Sequence, residues 1–255
     1  MSSGQWAVEA RQVVTLFGHR GAAGEAPENT LGGFAHAWES GVRAFELDIR
    51  LSKDGQLVVI HDATLERTTD GAGRVGDHTA QALSALNAAS HFPGWPKREG
   101  VPLLEEVLRR YGEGIQRWQL EVKTDTPERL ERLCARLREK IERSGLRGRA
   151  TVTSFDPSAI EIMRRLSPEQ TLGLIVKPAR MEAIEQATSR GCAELCVEVE
   201  SASAALVRAA HAAGLRVTGW LGNSPEAVER LLDWGAEAIT SDMPTRAREW
   251  IGERG

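Results

Sequence analysis

The 255-residue chain is poor in cysteine, lysine and tyrosine, with three, five and one of these residues. Three cysteines cannot supply the disulfide framework of a small secreted scaffold. Cys192 and Cys196 lie four positions apart without a neighbouring histidine, which is not a typical zinc motif. Together with Cys134 they indicate buried, reduced thiols and a cytoplasmic location.

Long apolar runs and an excess of positive charge are also missing. No run approaches the ~18 apolar residues of a membrane-spanning helix, so we expect no stable membrane anchoring. Residues 1–7 contain no basic residue, and we expect no secretory signal there. The 32 basic and 36 acidic residues leave a net charge of −4, which disfavours binding to nucleic acid. The sequence gives no indication of the oligomeric state.

Short β-rich segments alternate with helical segments along the chain. The predicted strands cover residues 13–17, 43–49, 117–123, 150–153, 171–176, 194–199, 215–220 and 236–240. Eight β-then-α units in a chain of this length favour a single α/β domain over residues 1–255, folded as a (β/α)8 TIM barrel. An open dinucleotide-binding sheet is disfavoured, because no Gly-x-Gly-x-x-Gly follows the first strand.

One connection is too long for an ordinary loop. Residues 62–102, between the second strand and a helix predicted at 103–110, are rich in glycine and proline. We predict a small insertion that covers one mouth of the barrel. Just before it, the turn signal Lys53-Asp54-Gly55 precedes a short extra strand at 56–60.

Three carboxylates are predicted at the carboxyl ends of strands, where functional groups collect in such barrels. Glu46 and Asp48 share one strand face, as do Glu121 and Lys123, because residues two apart point the same way. If those faces point inward, the carboxylates repel one another unless a cation compensates. Oxygen ligands suit Mg²⁺ or Ca²⁺, with Mn²⁺ also possible. The alternative is that the acids form ion pairs with neighbouring cations, Arg43, Arg50 and Lys123.

Two histidines and two cations are predicted at the same mouth. His19 and His61 each follow a strand segment and suit general acid–base chemistry. Arg20 and Lys123 suit an anion, most naturally a phosphate. Trp220 ends the seventh strand and is expected to line the mouth. A metal, two histidines and two cations fit phosphoester hydrolysis better than redox chemistry.

Several sequence blocks resemble the glycerophosphodiester phosphodiesterase family, and together they cover most of the chain. The blocks are GHRG at 18–21, APENT at 26–30, ELD at 46–48, HDATLERTTDGAG at 61–73, VPLLEEVL at 101–108 and LEVK at 120–123. Of these blocks, the one at 61–73 is specific to this family. The chain departs from the family at 220–223, which read Trp-Leu-Gly-Asn instead of Trp-Thr-Val-Asn, and at Ser241, where threonine is usual. These departures affect details of the substrate pocket and not the reaction class.

The resemblance implies a barrel with a small insertion that hydrolyses a small-molecule glycerophosphodiester. Substrates such as glycerophosphocholine or glycerophosphoethanolamine would give sn-glycerol 3-phosphate and an alcohol. The implied metal ligands are Glu46, Asp48 and Glu121, the acid–base pair is His19 and His61, and the phosphate contacts are Arg20 and Lys123. Which histidine is the acid, and whether water or a glycerol hydroxyl is the nucleophile, stays open.

Three other functions stay open at this point. The first is phospholipase D-like hydrolysis of lysophospholipids, with an acyl groove built from apolar residues of the insertion, Leu83, Leu86, Phe92 and Trp95. The second is a Schiff-base aldolase with Lys123 as the nucleophile. The third is a phosphate-binding barrel without catalytic activity.

Overall fold

A computed structural model describes residues 14–252, so Val13 and the predicted absence of a signal at 1–7 lie outside the described residues. The strands are β1 Thr15–Gly18, β2 Ala44–Leu51, β3 Leu57–Val59, β4 Arg117–Val122, β5 Ala150–Ser154, β6 Thr171–Val176, β7 Glu194–Glu198, β8 Arg216–Trp220 and β9 Ala238–Ser241. The helices are α1 Leu31–Glu39, α2 Ala80–Ala85, α3 Leu104–Tyr111, α4 Pro127–Arg143, α5 Pro157–Leu166, α6 Glu182–Ser189, α7 Ala204–Ala212, α8 Pro225–Trp234 and α9 Pro244–Gly252.

Eight of these strands are parallel and close into a barrel. The strand order is β1-β9-β8-β7-β6-β5-β4-β2, and β1 also pairs with β2. The predicted (β/α)8 barrel is therefore confirmed. The predicted extra strand is β3, which runs antiparallel to β2. Two strand registers position the site. The register of β2 and β4 places Asp48 beside Glu121, and that of β1 and β9 places Gly18 beside Ser241.

The helices cover the outside of the barrel with one apolar face each. In α4 the buried residues Leu130, Leu133, Leu137 and Ile141 recur at helical spacing, which predicts burial of one face. Ser224 caps α8 by accepting a hydrogen bond from the Ala227 amide. Gly235 ends that helix at a φ of 84°, a conformation that favours glycine. Caps and apolar periodicity are local signals, so the sequence around each helix sets both its ends and its buried face.

Residues 62–102 contribute no barrel strand. They contain a 3₁₀ turn at Val75–Asp77 and the helix α2, which sequence reasoning did not predict. The six residues of α2 are too few to show helical periodicity. Much of the segment packs around its own apolar cluster, which includes Leu65, Leu83 and Val101. Among the described residues, none of the helices is both long and apolar enough to span a membrane.

Candidate active site

The β1–α1 loop carries the first two predicted site residues, His19 and Arg20. Its turn is tight, because a Cβ on Gly18 would lie 2.1 Å from the Gly21 carbonyl oxygen. Arg20 and Asn29 adopt positive φ angles of 51° and 56°, which non-glycine residues rarely do. The Asn29 amide donates to the Arg20 carbonyl at 2.8 Å, so the two strained residues hold each other in place.

The three predicted carboxylates meet inside the barrel mouth. Glu46, Asp48 and Glu121 are 5%, 0% and 6% exposed, and one oxygen of each lies within 4.8 Å of the others. Burial raises the pKa of Glu46 well above its usual range, and the charges of Asp48 and Glu121 raise it further. Burial and the neighbouring Asp48 raise the pKa of Glu121 to about 7, against the effect of Lys123.

Asp48 is ionised because two cations flank it. Lys123 Nζ lies 2.8 Å from Asp48 Oδ1, and Arg20 Nε lies 3.2 Å from Asp48 Oδ2. The Asn29 side-chain amide also donates to Asp48 Oδ2 at 2.7 Å. Burial opposes ionisation of Asp48, but the charges of Lys123 and Arg20 outweigh it and hold the pKa of Asp48 well below its usual range.

Arg20 and Lys123, predicted as phosphate contacts, both line the cavity and both pair with carboxylates. Lys123 also contacts Glu121, and Arg20 Nη1 donates to Glu28 at 2.9 Å. Burial lowers the pKa of Lys123, but Asp48 and Glu121 outweigh it, so the net pKa lies above the usual value. Of the alternative ion pairs considered above, the structure therefore contains only those of Lys123. Arg43 stacks on Trp38, and the Arg50 guanidinium donates to backbone carbonyls.

Each predicted catalytic histidine is held by an aspartate at its Nδ1 atom. His19 Nδ1 lies 2.5 Å from Asp242 Oδ1, and His61 Nδ1 lies 2.6 Å from Asp62 Oδ1. Since Nδ1 is engaged in both rings, Nε2 is the nitrogen left for the cavity, and His19 Nε2 lies 3.8 Å from Glu46. Burial lowers the pKa of His61, and the charges of Lys123 and Arg20 lower it further, against the effect of Asp48.

Further hydrogen bonds fix the two aspartates. Asn223 donates to Asp242 Oδ2 at 2.7 Å and accepts from the Asp242 amide at 2.8 Å. Arg67 contacts Asp62 and donates both terminal nitrogens to Glu28 at 2.8 Å each. Because Glu28 also accepts from Arg20, a chain of alternating charges links His61 to Arg20. Arg67 lies in the predicted insertion, so this segment contributes directly to the site.

The catalytic cavity has a volume of about 220 Å³ and opens at the carboxyl ends of the strands. Six predicted residues line it on the charged side: His19, Arg20, Glu46, His61, Glu121 and Lys123. Trp220 lines the opposite wall with Phe155, Ile175 and Leu221. Asp48 is fully buried behind the charged side. The structure therefore brings all eight predicted site residues to one mouth.

Sequence reasoning did not single out several residues that hold or line this site, among them Asp62, Asp242, Asn223, Arg67 and Phe155. Asp242 directly follows β9 and Phe155 directly follows β5, so the strand-end rule could have found both. Arg67 lies in the specific sequence block at 61–73. Asn223 ends the 220–223 block, where it matches the last residue of the family pattern. Glu28 and Asn29 are both part of the charge network, while Thr30 caps α1.

The carboxylate cluster fits a divalent cation. Glu46 Oε1 is buried and has no hydrogen-bond partner among residues 14–252. When all three carboxylates are ionised, they face two cations, Arg20 and Lys123, and one negative charge is left uncompensated. A hard cation that prefers oxygen ligands would satisfy both the free oxygen and the remaining charge.

Comparisons with known proteins agree with this site. Residues 19–246 match the model of the glycerophosphoryl diester phosphodiesterase family. A glycerophosphodiester phosphodiesterase from Bacillus altitudinis is 31% identical over 91% of this chain and 96% of its own. One from Caldanaerobacter subterraneus subsp. tengcongensis is 29% identical over 90% of this chain and 94% of its own.

A solved structure of a phosphodiesterase from Oleispira antarctica, in complex with the product sn-glycerol-3-phosphate, is also similar. It is 26% identical, with a TM-score of 0.85 over 93% of this chain and 96% of that chain. The family match covers most of the chain, including all eight predicted site residues. The chain therefore belongs to the glycerophosphoryl diester phosphodiesterase family and is an enzyme of this phosphodiesterase class.

Proposed function

We propose that the protein hydrolyses small glycerophosphodiesters, such as glycerophosphocholine or glycerophosphoethanolamine, to sn-glycerol 3-phosphate and an alcohol. One observation carries this proposal. Two histidines, each oriented by an aspartate, face one cavity that also contains three buried carboxylates. The product complex of the Oleispira antarctica relative supports the same product here.

His19 and His61 act as the acid–base pair in this proposal. One imidazole Nε2 takes the proton from the attacking hydroxyl, either of water or of the substrate's own glycerol. In the second case a cyclic phosphate forms first, and water then opens it to the monoester. The other imidazole protonates the leaving alkoxide, which is otherwise a poor leaving group. Asp242 and Asp62 keep each ring in the tautomer and orientation that present Nε2 to the cavity. The proton balance closes, because the alcohol leaves with one proton and the nucleophile loses one.

Arg20 and Lys123 bind the phosphate in this proposal. Both remain protonated because of their carboxylate partners, and both line the cavity. The ion pairs of both residues with Asp48, and that of Lys123 with Glu121, hold them in place before the substrate arrives, which reduces the cost of ordering them. The same partners argue against Lys123 as a Schiff-base nucleophile, which must be a neutral amine.

Glu46, Asp48 and Glu121 hold one divalent cation, Mg²⁺, Ca²⁺ or Mn²⁺, in this proposal. Bound there, such an ion would neutralise negative charge on the phosphate oxygens and help to orient the nucleophile. The three buried free thiols fit a reducing, cytoplasmic compartment, which we include in the proposal.

Release of glycerol 3-phosphate from glycerophosphocholine and glycerophosphoethanolamine tests the proposal. Purified protein is treated with EDTA, and Mg²⁺, Ca²⁺ or Mn²⁺ is then added back. We expect EDTA to abolish release and one ion to restore it. Calorimetric binding of that ion to Glu46→Gln and to Glu237→Gln supplies a second measurement, because Glu237 pairs with His211 away from the site.

The expected result is loss of ion binding in Glu46→Gln and wild-type binding in Glu237→Gln. Full activity after exhaustive EDTA treatment would contradict the metal part of the proposal. Binding of a glycerophosphodiester without turnover, with any of the three ions, would instead identify a phosphate-binding barrel without catalytic activity.

A further inference from the structure

A second cavity lies beside the active site, between the barrel and the insertion. Its volume is about 150 Å³, and its lining includes three arginines, Arg50, Arg74 and Arg129. Arg50 lies in β2, Arg74 in the insertion and Arg129 in the first turn of α4. Among residues 14–252, none lines both this cavity and the catalytic one, so the two are separate. We call the second one the arginine cavity.

The arginine cavity is formed where the insertion packs on the start of α4. The Arg129 guanidinium donates to the Leu51 carbonyl, which holds it against the end of β2. The 3₁₀ turn Val75–Asp77 lies against the same guanidinium, because a Cβ on Gly76 would lie 2.8 Å from Arg129 Nη2. Glycine at this position therefore lets the insertion and the barrel approach closely enough to bring the three arginines together.

The barrel contributes two of these guanidiniums, and only one of them has a carboxylate partner. Arg129 Nε pairs with Asp125 Oδ2 at 2.9 Å. Arg50 donates instead to two backbone carbonyls, that of His61 at 2.8 Å and that of Thr124 at 3.3 Å. The Arg50 Nη2 atom donates to no residue of the described chain. Arg50 thus brings to the cavity a positive charge without an acidic partner.

The insertion contributes one cation and one acid, and neither has a partner of opposite charge. Arg74 is exposed and forms no ion pair within residues 14–252, whereas Arg98 of the same segment pairs with Asp70. Asp77, on the 3₁₀ turn, is also exposed and forms no ion pair within those residues. The lining thus contains three arginines and two aspartates, Asp77 and Asp125, which leaves an excess of one positive charge. The whole chain, by contrast, carries a net charge of −4.

We propose that the arginine cavity binds a phosphate-sized oxyanion, either inorganic phosphate or the phosphate group of glycerol 3-phosphate. A guanidinium is a planar fork that donates two hydrogen bonds to phosphate oxygens. Guanidiniums from three chain segments can each contact a different oxygen of a tetrahedral ion. A bound anion would join the insertion, through Arg74, to the barrel, through Arg50 and Arg129.

The size and position of the cavity fit this ligand class. Sites for drug-sized organic ligands usually have volumes of roughly 300–1,000 Å³, so the arginine cavity suits a smaller ligand. An excess of positive charge in a concave site raises the local concentration of anions. The inference does not depend on the proposed function, because binding here involves no catalytic step.

Isothermal titration calorimetry tests the proposal, with inorganic phosphate and glycerol 3-phosphate titrated separately into the full-length protein with Mg²⁺. We expect two binding events, one in the catalytic cavity and one in the arginine cavity. Arg74→Gln should weaken one event by about tenfold, because a charge-assisted fork to the anion is lost. Lys123→Gln should weaken the other event and leave the first unchanged.

A second variant at the cavity should have the opposite effect. Asp77→Asn removes the unpaired negative charge, so the event that Arg74→Gln weakens should become about two- to fivefold tighter. Arg98→Gln, an exposed arginine of the same segment that does not line the cavity, is the matched control and should change neither event. Thermal unfolding verifies that each variant is folded.

Each result decides the proposal. Phosphate binding that neither Arg74→Gln nor Asp77→Asn changes would overturn it. An equal loss in Arg98→Gln would indicate a general effect of net charge and would also overturn it. If Lys123→Gln does not fold, the other three variants decide alone. Binding of only one of the two ligands at this site supports the proposal and identifies the source of the phosphate. Failure to hydrolyse glycerophosphocholine would overturn the proposed function and not this site.

Discussion

The two halves of the barrel mouth have opposite chemistry. On the charged half, at the ends of β1, β2 and β4, the buried carboxylates and cations pair with one another. On the apolar half, at the ends of β5, β6 and β8, the wall consists of Phe155, Ile175 and Trp220. The difference shows how one cavity can orient an amphipathic diester, with its phosphate toward one half and its less polar substituent toward the other.

The two halves also differ in how they are stabilised. Burial of a charge is costly unless a partner compensates it, so the charged half depends on complete pairs and loses much when one member is removed. The apolar half is stabilised by many small contacts, each of which contributes little. Substitutions in the charged half should therefore have large effects on activity and stability, and substitutions in the apolar half should have small ones.

The largest expected effect is on catalysis by the charged half. His19→Ala or His61→Ala should lower kcat by about 10²–10⁴-fold, because proton transfer to or from the reacting oxygens is lost. Steady-state kinetics on glycerophosphocholine measure this loss. His211→Ala is the control, since His211 pairs with Glu237 away from the cavity. Near wild-type turnover in either folded variant would rule out the paired-histidine mechanism.

Stability should also depend strongly on the charged half. Asp48→Ala leaves Arg20 and Lys123 without their shared carboxylate, and we expect the free energy of unfolding to fall by about 3–5 kcal/mol. Urea unfolding of metal-free protein measures the change. The exposed pair of Glu200 with Arg230 supplies the control, because Glu200→Ala should cost less than about 1 kcal/mol. Equal losses in the two variants would contradict the expectation.

A smaller loss of activity is expected when a residue that orients a histidine changes. Asp242→Asn should lower kcat by about 10–100-fold with little change in KM, because His19 loses the carboxylate that fixes its tautomer. The conservative variant Asp242→Glu should restore part of the rate. If the role of Asp242 were purely structural, both variants would instead unfold at a lower temperature, and kcat would not fall selectively while KM stays the same.

The pH response of His61 tests the same half of the mouth. Burial lowers the pKa of His61, and Asp62 partly opposes it by stabilising the imidazolium. Asp62→Asn removes this opposing effect, so the pKa of His61 should fall further and the ring should stay neutral to lower pH. The NMR resonances of the His61 imidazole, followed against pH, measure the shift. Asp70→Asn, in the same segment, is the control, and a higher pKa in Asp62→Asn would contradict the assignment.

The smallest effect is expected on the apolar half. Phe155→Ala removes the edge-to-face contact with Trp220 and should lower the free energy of unfolding by about 0.5–1.5 kcal/mol. Met181→Ala, at a more exposed position at the start of α6, should cost less. If Phe155→Ala lowers the free energy of unfolding as much as Asp48→Ala does, the two halves do not differ in how strongly single residues stabilise them.

Much of the site could be predicted because it follows short-range rules. Glu46 and Asp48 share a face through the period of two in a strand, and His19 follows a strand end. The alternation of β-rich and helical segments was predicted in the same way, but the short α2 was not. The pairing of Arg67 with Glu28 could not be predicted, because the two residues meet across 39 positions through a fold of the insertion.

The sequence by itself determined the eight-unit barrel and the types of residue at its mouth, because apolar periodicity and turn signals act over a few residues. Only the tertiary structure decided which of those residues meet. Closure of the barrel sets Gly18 beside Ser241, and this register brings Asp242 to His19 across 223 positions of the chain. The register of β2 and β4 likewise places Asp48 beside Glu121. Such contacts depend on the closure of the whole sheet, which no local pattern specifies.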